Sequence, residues 1–530
     1  MTTTTAPYRS ELPAGHDGFG QLLHAEWTKF RTVRGWVITT VVAALLVVLF
    51  AYLGTFHHET GVCTTPAQSS CHPAQPHVPL GPGGEAVSDT YYLVHRALGK
   101  DGSITVRVGA LSGLLQTGNG NSASVSDLGG APGALQPWAK AGLIVTASTK
   151  PGAAYAAVML TGAHGVRMQY DYTHDTAGSG GSATGARWLR LTRAGNTLTG
   201  YESGDGRIWT KVGSAHLDGL PQSVQGGLFV TSPPTAPSQK YFVGDDAGGE
   251  ASGATASFDG LTLRGSWSTG SWKGQDVGAN GQVPTLTSVG SKQSGTGFTV
   301  RGSGDVAPAV GSAIGYTDRP SLTGVFVGMI LLIVLATMFI TAEYRRGLIR
   351  TTFAASPRRG QVLAAKAIVI AVVTFLAGAA ATAVSIPLGN HLLRANGNYI
   401  YPTGTLTDLR VIFGTAALLA LAAVLALALG TALRRSAAAV TAVILLIVLP
   451  DMLVVAVAVP TGVQRLLMRV TPAAAFAVEQ TVPQYHQVNY LYAPSNGFYP
   501  LAPAAGFAVL LAYTAAALWF AAHRLRTRDA

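Results

Sequence analysis

Six stretches of the chain are almost purely apolar and each is about as long as a bilayer is thick: residues 35–54, 322–342, 368–388, 411–429, 437–457 and 501–521. About 20 apolar residues in a helix cross the hydrocarbon core. Inside it, only structures that satisfy their own backbone hydrogen bonds are stable, so these stretches are expected to be helices. Charged residues make up 12% of the 530, about half of what ordinary soluble domains carry (roughly 25%). Because the apolar excess is clustered, the composition describes a membrane protein with a soluble part. One charge falls inside a predicted span, Asp451, directly after Pro450. An ionisable group there is a functional candidate by default, although a place near the outer end of the span also fits the water boundary.

Basic residues orient the spans. Arg9, Lys29, Arg31 and Arg34 precede the first. Arg345, Arg346, Arg350, Arg358, Arg359 and Lys366 separate the second from the third. Arg434 and Arg435 lie between the fourth and fifth, and Arg524, Arg526 and Arg528 follow the sixth. The short loops of the opposite side hold Arg394, Arg410, Arg465 and Arg469. Lysine and arginine near a span resist translocation. Both termini (1–34 and 523–530) are therefore expected inside the cell and residues 55–320 outside. Thirty-four residues precede the first span and no small-residue cleavage site follows it closely, so it is expected to be a retained anchor. The net charge of +11 follows from this membrane patterning, and no nucleic-acid partner is expected.

Residues 19–34, FGQLLHAEWTKFRTVR, place Leu22, Leu23, Trp27 and Phe30 near helical spacing, with basic residues between them. This suits a helix lying in the membrane interface. The loop EYRRGLIRTTFAASPRRGQVLAAK at 343–366 is too long and too mixed for a simple turn. Residues 459–480 are too interrupted to span and too apolar for an exposed loop, so short surface or re-entrant helices are expected.

Residues 55–85 are rich in Pro, His and Gly and read as a tether. Its Cys63 and Cys71 are close enough to pair as a disulfide in an oxidising exterior. No metal site is expected, because His57, His58 and His72 match no ligand spacing. From 86 to 267 the pattern changes to short strands with turn signals, among them 103–108, 141–148, 153–160, 166–173, 186–193, 197–203, 226–232 and 254–265. Ala194-Gly195-Asn196 and Ser203-Gly204-Asp205-Gly206 are hairpin turns. Residues 268–320 form a Gly/Ser-rich connector with one further strand at 297–302. The expected fold class is an α-helical membrane protein with six transmembrane helices and a large extracellular all-β sandwich of two sheets, inserted between the first and second spans.

The stretches EWTKFRTVRGW at 26–36 and TAEYRRGLIRTTFAASPRRGQVLAAK at 341–366, with Leu449-Pro450 and the surface helices after it, resemble the membrane-spanning subunit of type-2 ATP-binding-cassette exporters. The resemblance covers residues 19–54 and 321–528. It implies that the helix before the first span and the loop after the second contact an ATPase subunit, with Glu26, Lys29, Arg31, Glu343, Arg345, Arg346, Arg358 and Arg359 as docking residues. It also implies a homodimer or a second permease, since six spans make half of the usual pore. The chain itself has no phosphate-cradling G-x-x-x-x-G-K-[ST] loop, so ATP and Mg are expected on the separate subunit and no cofactor on this one.

The run from WAKAGLIVTAS to GRIWTKVG at 138–213 resembles the concanavalin-like, laminin-G-type lectin sandwich. An extracellular glycan is then a candidate ligand, with Tyr170, Tyr172, Trp188, Tyr201 and Trp209 as candidate contacts, although aromatic residues on strands more often fill a core. The paired acids a glycosidase needs do not recur at alternate strand positions. Asp171, Asp175 and Asp205 lack a firm calcium spacing. No catalytic site is expected.

Overall fold

The computed structural model describes residues 18–56, 78–115, 131–133, 135–178, 185–235, 250–278, 285–286, 288–311, 314–355, 358–456 and 459–527. Cys63 and Cys71 lie outside these residues.

The chain opens with α1 (Phe19–Thr32) and α2 (Arg34–Phe56). Among the described residues sixteen strands follow: β1 (Val87–Asp89), β2 (Tyr91–Leu115), β3 (Ala131–Gly133), β4 (Lys140–Thr146), β5 (Tyr155–Thr161), β6 (Val166–Tyr170), β7 (His174–Ala177) and β8 (Arg187–Ala194). Then come β9 (Thr197–Ser203), β10 (Thr210–His216), β11 (Val224–Thr231), β12 (Ser252–Trp267), β13 (Lys273–Val277), β14 (Gly290–Ser294), β15 (Gly297–Ser303) and β16 (Val306–Pro308). The helical region holds α3 (Gly324–Arg345), α4 (Leu348–Ala355), α5 (Arg359–Ala395), α6 (Thr405–Leu433), α7 (Ser436–Val443), α8 (Leu449–Ala456), α9 (Thr461–Val470) and α10 (Pro503–Thr527).

This overturns the expected fold class. In place of a helical protein with a two-sheet sandwich between its first two spans, a β domain fills the N-terminal half, residues 87–310, and the helical region follows it. In place of two facing sheets the domain is built on a single barrel-like, 14-stranded sheet, with β1 and β16 paired apart from it. The reason is β2, whose 25 residues pair in turn with β8, β11, β12 and β13. Three register shifts along the β12–β2 ladder supply the bends such curvature needs. Part of the expected connector also belongs to the sheet, where β13 pairs with β2 and β14 with β15. The expected hairpin at Gly195 forms, with φ +61°, a conformation that glycine adopts without steric cost.

Central strands β4 and β5 are buried throughout. Alternate residues explain this: Leu143, Val145, Ala156 and Val158 enter the main β core, while Ile144, Tyr155 and Ala157 enter a second cluster on the other face. A strand covered on both sides reads as a continuous apolar run rather than an alternating one.

Six helical stretches among the described residues are long and apolar enough to cross a membrane: Arg34–Thr55, Arg319–Arg345, Arg359–Ala395, Thr405–Leu433, Ser436–Val454 and Pro503–Thr527. In the α3 stretch facing α2, Gly324 and Gly328 let the backbones approach closely, since a Cβ on Gly324 would lie 2.1 Å from the Val47 carbonyl oxygen. Small residues four apart are a recurring helix contact in lipid. The fifth stretch is not one regular helix, because a π turn at Ile444–Val448 joins α7 to α8. Pro450 lacks an N–H and its ring crowds the carbonyl four residues back, and that carbonyl belongs to Leu446 in the π turn, where the backbone is widened.

The loop between α9 and α10 binds the β domain. Gln487 Nε2 donates to the Tyr172 carbonyl at 3.1 Å and Asn489 Nδ2 to the Pro234 carbonyl at 3.0 Å. Nearby, Tyr401 Oη donates to the Gly311 carbonyl at 2.8 Å.

Candidate functional site

The amphipathic pattern of 19–34 becomes α1, which ends where Val33 turns extended (ψ 97°) and the chain enters α2. One helical turn apart, Glu26 and Phe30 point inward and are buried. The Phe30 ring meets Phe339 of α3 edge-on at 6.0 Å, and Trp36 meets Phe339 at 4.8 Å. This aromatic contact presses α1 against the end of α3 and sets Glu26 among charged groups.

The hub of those groups is Lys366 on α5, which has no solvent exposure. Its Nζ donates to Glu26 Oε2 and to Glu343 Oε1, both at 2.7 Å. Lys29 Nζ donates to Glu26 Oε1 at 2.8 Å and to Glu343 Oε1 at 3.3 Å. The Lys366 ammonium also lies 4.7 Å from the Phe339 ring centroid, a favourable placement for a cation over an aromatic face. Two carboxylates thus face two ammoniums, and the cluster joins α1, α3 and α5. Burial works against the charge on Lys29, but the hydrogen bonds and charges of Glu26 and Glu343 outweigh it and hold the ammonium above its ordinary range.

The predicted docking residues divide accordingly. Glu26, Lys29 and Glu343 are occupied with one another and with Lys366. Arg359 is half-buried, donates from Nη1 to the Leu525 carbonyl at 2.8 Å and lies over the Phe353 ring, so it holds the end of α10. Arg31, Arg345, Arg346 and Arg358 are exposed. In the sequence Lys366 stands only as the last basic residue of the 343–366 loop. The signal is a single lysine within the apolar run LAAKAIVI, where a buried charge calls for a partner.

Asp451 is 2% exposed, covered by the protein itself. It is within electrostatic reach of Arg319, Glu479 and Tyr499.

The five aromatic residues proposed for glycan contact do not form one platform. Tyr172 is buried, its ring edge-on to Tyr155 at 4.8 Å and its hydroxyl donating to the Ala153 carbonyl. Tyr170 stacks on His174 at 4.2 Å and packs against the main β core. Tyr201 lies opposite Arg190 in the β8–β9 ladder. The Arg190 guanidinium covers Trp209 at 3.8 Å, and Trp188 fits against Gly206 and Gly260, where a Cβ would come within 2.9 and 2.6 Å of its ring.

The acidic trio is also dispersed among separate roles. Asp175 pairs with Arg167 and accepts from Gln169. Asp171 accepts from the Tyr155 amide. Asp205 accepts from the Arg207 and Ile208 amides of its own turn at 2.8 and 2.9 Å, which holds its carboxyl down to about 2. Among the described residues no three His, Cys, Asp or Glu side chains group as metal ligands.

No protein-family model matches the chain, and no curated protein matches it. Among solved structures, a functionally unknown protein from Saccharomyces cerevisiae is similar over 37% of this chain and 85% of its own, at 17% identity and a TM-score of 0.23. A GH43 protein from Bacillus licheniformis is similar over 25% of this chain and 24% of its own, at 15% identity and a TM-score of 0.17. A Scytalido-glutamic peptidase is similar over 40% of this chain and 98% of its own, at 8% identity and a TM-score of 0.24. Overlaps this slight carry no functional argument.

Proposed function

We propose that the chain is the membrane-spanning permease subunit of an ATP-driven exporter, working with a separate ATPase subunit and with a second copy of itself or another permease. In this reading both termini are cytoplasmic, the six apolar helices cross the cell membrane and the β domain faces outward. ATP-driven closure of the partner subunits pushes on the α1 and α3–α5 surface, tilts the spans and opens the path to the other side.

The observation that carries the reading is the buried Lys366 cluster. An isolated interfacial helix would move independently of the spans. Here two salt-bridged carboxylates, Glu26 and Glu343, tie α1 to α3 and α5 through one lysine, so a force applied to α1 reaches two spans. Beside that joint, Arg31, Arg345, Arg346 and Arg358 are exposed. Exposed charges at a subunit contact govern partner choice and association rate.

The test is co-purification with a candidate ATPase subunit, followed by its ATP turnover. Reversing Arg345, Arg346 and Arg358 together to Glu is expected to abolish co-purification while leaving thermal stability within about 1 kcal/mol, since exposed ion pairs contribute little. Full binding and turnover by this variant would exclude the assignment.

A further inference from the structure

At the other end of the spans, a cavity of about 710 Å³ opens between the start of α6, α9 and the loop that precedes α10. Its size is that of a small-molecule site, roughly 300–1,000 Å³. Three arginines line it, Arg410, Arg465 and Arg469, and no Asp or Glu does among the described residues. The positive-inside rule accounts for the arginines at the cytoplasmic end in the proposed orientation, but not for these.

Their placement is built. Arg410 donates to the Gln480 carbonyl, and Arg465 Nη2 donates to the Tyr492 carbonyl at 3.2 Å. Each fork has five N–H donors, so one anchored donor aims the guanidinium and leaves the greater part of its capacity unspent on these bonds. On α9, successive residues turn by about 100°. Gln464 and Met468 therefore share the buried face, Arg465 and Arg469 the next, and Val463, Leu466 and Val470 a third that is exposed. Like charges four apart on a helix repel, a cost that an anion between them reverses. Leu406, Leu409 and Phe413 likewise leave an exposed apolar face beside Arg410.

We propose that this cavity binds the phosphate headgroup of an anionic membrane amphiphile, with its acyl chains along the apolar faces of α6 and α9. Planar arginine forks match phosphate oxygens in pairs, and the adjoining apolar side chains have the tail as their natural neighbour in a bilayer. The proposal rests on the membrane-spanning reading and not on ATP-driven export, so it stands or falls by binding alone.

The experiment titrates purified full-length protein in a neutral detergent with dioctanoyl phosphatidate, dioctanoyl phosphatidylcholine and inorganic phosphate, reading binding calorimetrically. Saturable binding of phosphatidate, weakened about ten- to hundredfold in Arg465→Gln/Arg469→Gln, is expected. Equal affinity for phosphatidylcholine, affinity for inorganic phosphate as high as for phosphatidate, or unaltered binding by the double variant would each overturn it. A photoactivatable phosphatidate on the unsubstituted protein gives a second measurement that does not depend on the variant folding. Crosslinks within residues 405–413 or 463–470 support the site, and crosslinks confined elsewhere refute it.

Discussion

Lys140 in the β domain and Lys366 in the helical region are both fully buried, yet the first answers to one carboxylate and the second to two. Lys140 Nζ donates to Asp305 Oδ1 at 2.7 Å and to the Val306 carbonyl at 2.6 Å. That closes a local circuit between β4 and the strand end at β16. Lys366 instead bridges Glu26 and Glu343 from two other helices, and its network reaches solvent through Lys29, whose side chain is 39% exposed. A buried ion pair is weak evidence of net stabilisation, but removing one partner strands the other. The contrast teaches that one lysine closes a contact within a single domain while the other ties three helices together and reaches the surface through Lys29.

The hardest test of that contrast is Lys366→Met, which leaves two carboxylates to the half-exposed Lys29 alone. Stability should fall by about 5 kcal/mol, the upper end of the usual range for a broken buried pair, as read by thermal unfolding of the detergent-solubilised protein. Co-purification with the ATPase subunit should fall with it. Lys140→Met strands one carboxylate and should cost about 3 kcal/mol, with subunit association intact in the fraction that remains folded. Equal costs, or loss of association in both variants, would erase the distinction between them.

A smaller effect sharpens the β-domain side. Asp89 accepts from the Gly152 amide at 2.9 Å, but burial pushes its carboxyl up to about 6 from an ordinary 3.8. The folded state therefore holds a proton between these values that the unfolded chain has released. The contribution to stability is fully present below pH 3.8 and is lost as pH rises through 6. Between pH 7 and pH 5, acidification should add about 1 kcal/mol, visible as slower hydrogen exchange of the strands around Asp89. Asp89→Asn should remove that dependence, and an unchanged slope would assign it to another group.

The helical half was legible because its signal is local. Twenty apolar residues in a row are a signal wherever they occur, and each of the six expected segments overlaps a long apolar helical stretch among the described residues. Strands such as β9 at Thr197–Ser203 were also readable from alternation and flanking turns. Two parts were not. The first half of β2, YYLVHRALGKDG, alternates poorly because both of its faces are packed, Val94 and Leu98 in the main β core and Tyr91 and Leu93 in the second cluster. Whether the strands form two sheets or one depends on pairing across more than a hundred residues, and no local pattern encodes that.

The candidate site divides along the same line. The resemblance to exporter permeases named Glu26, Lys29, Arg31, Glu343, Arg345, Arg346, Arg358 and Arg359 together as docking residues, without dividing them. By itself the sequence determined which segments are apolar, where charge interrupts them and which turns need glycine, because each is a property of neighbours along the chain. Only the tertiary structure decided that three of those charged residues belong to a buried cluster around Lys366, that Arg359 ends α10, and that Arg410, Arg465 and Arg469 share one cavity. Those outcomes depend on distances between helices remote in the chain, and a charge is free to dock or committed to a core only once its neighbours in space are set.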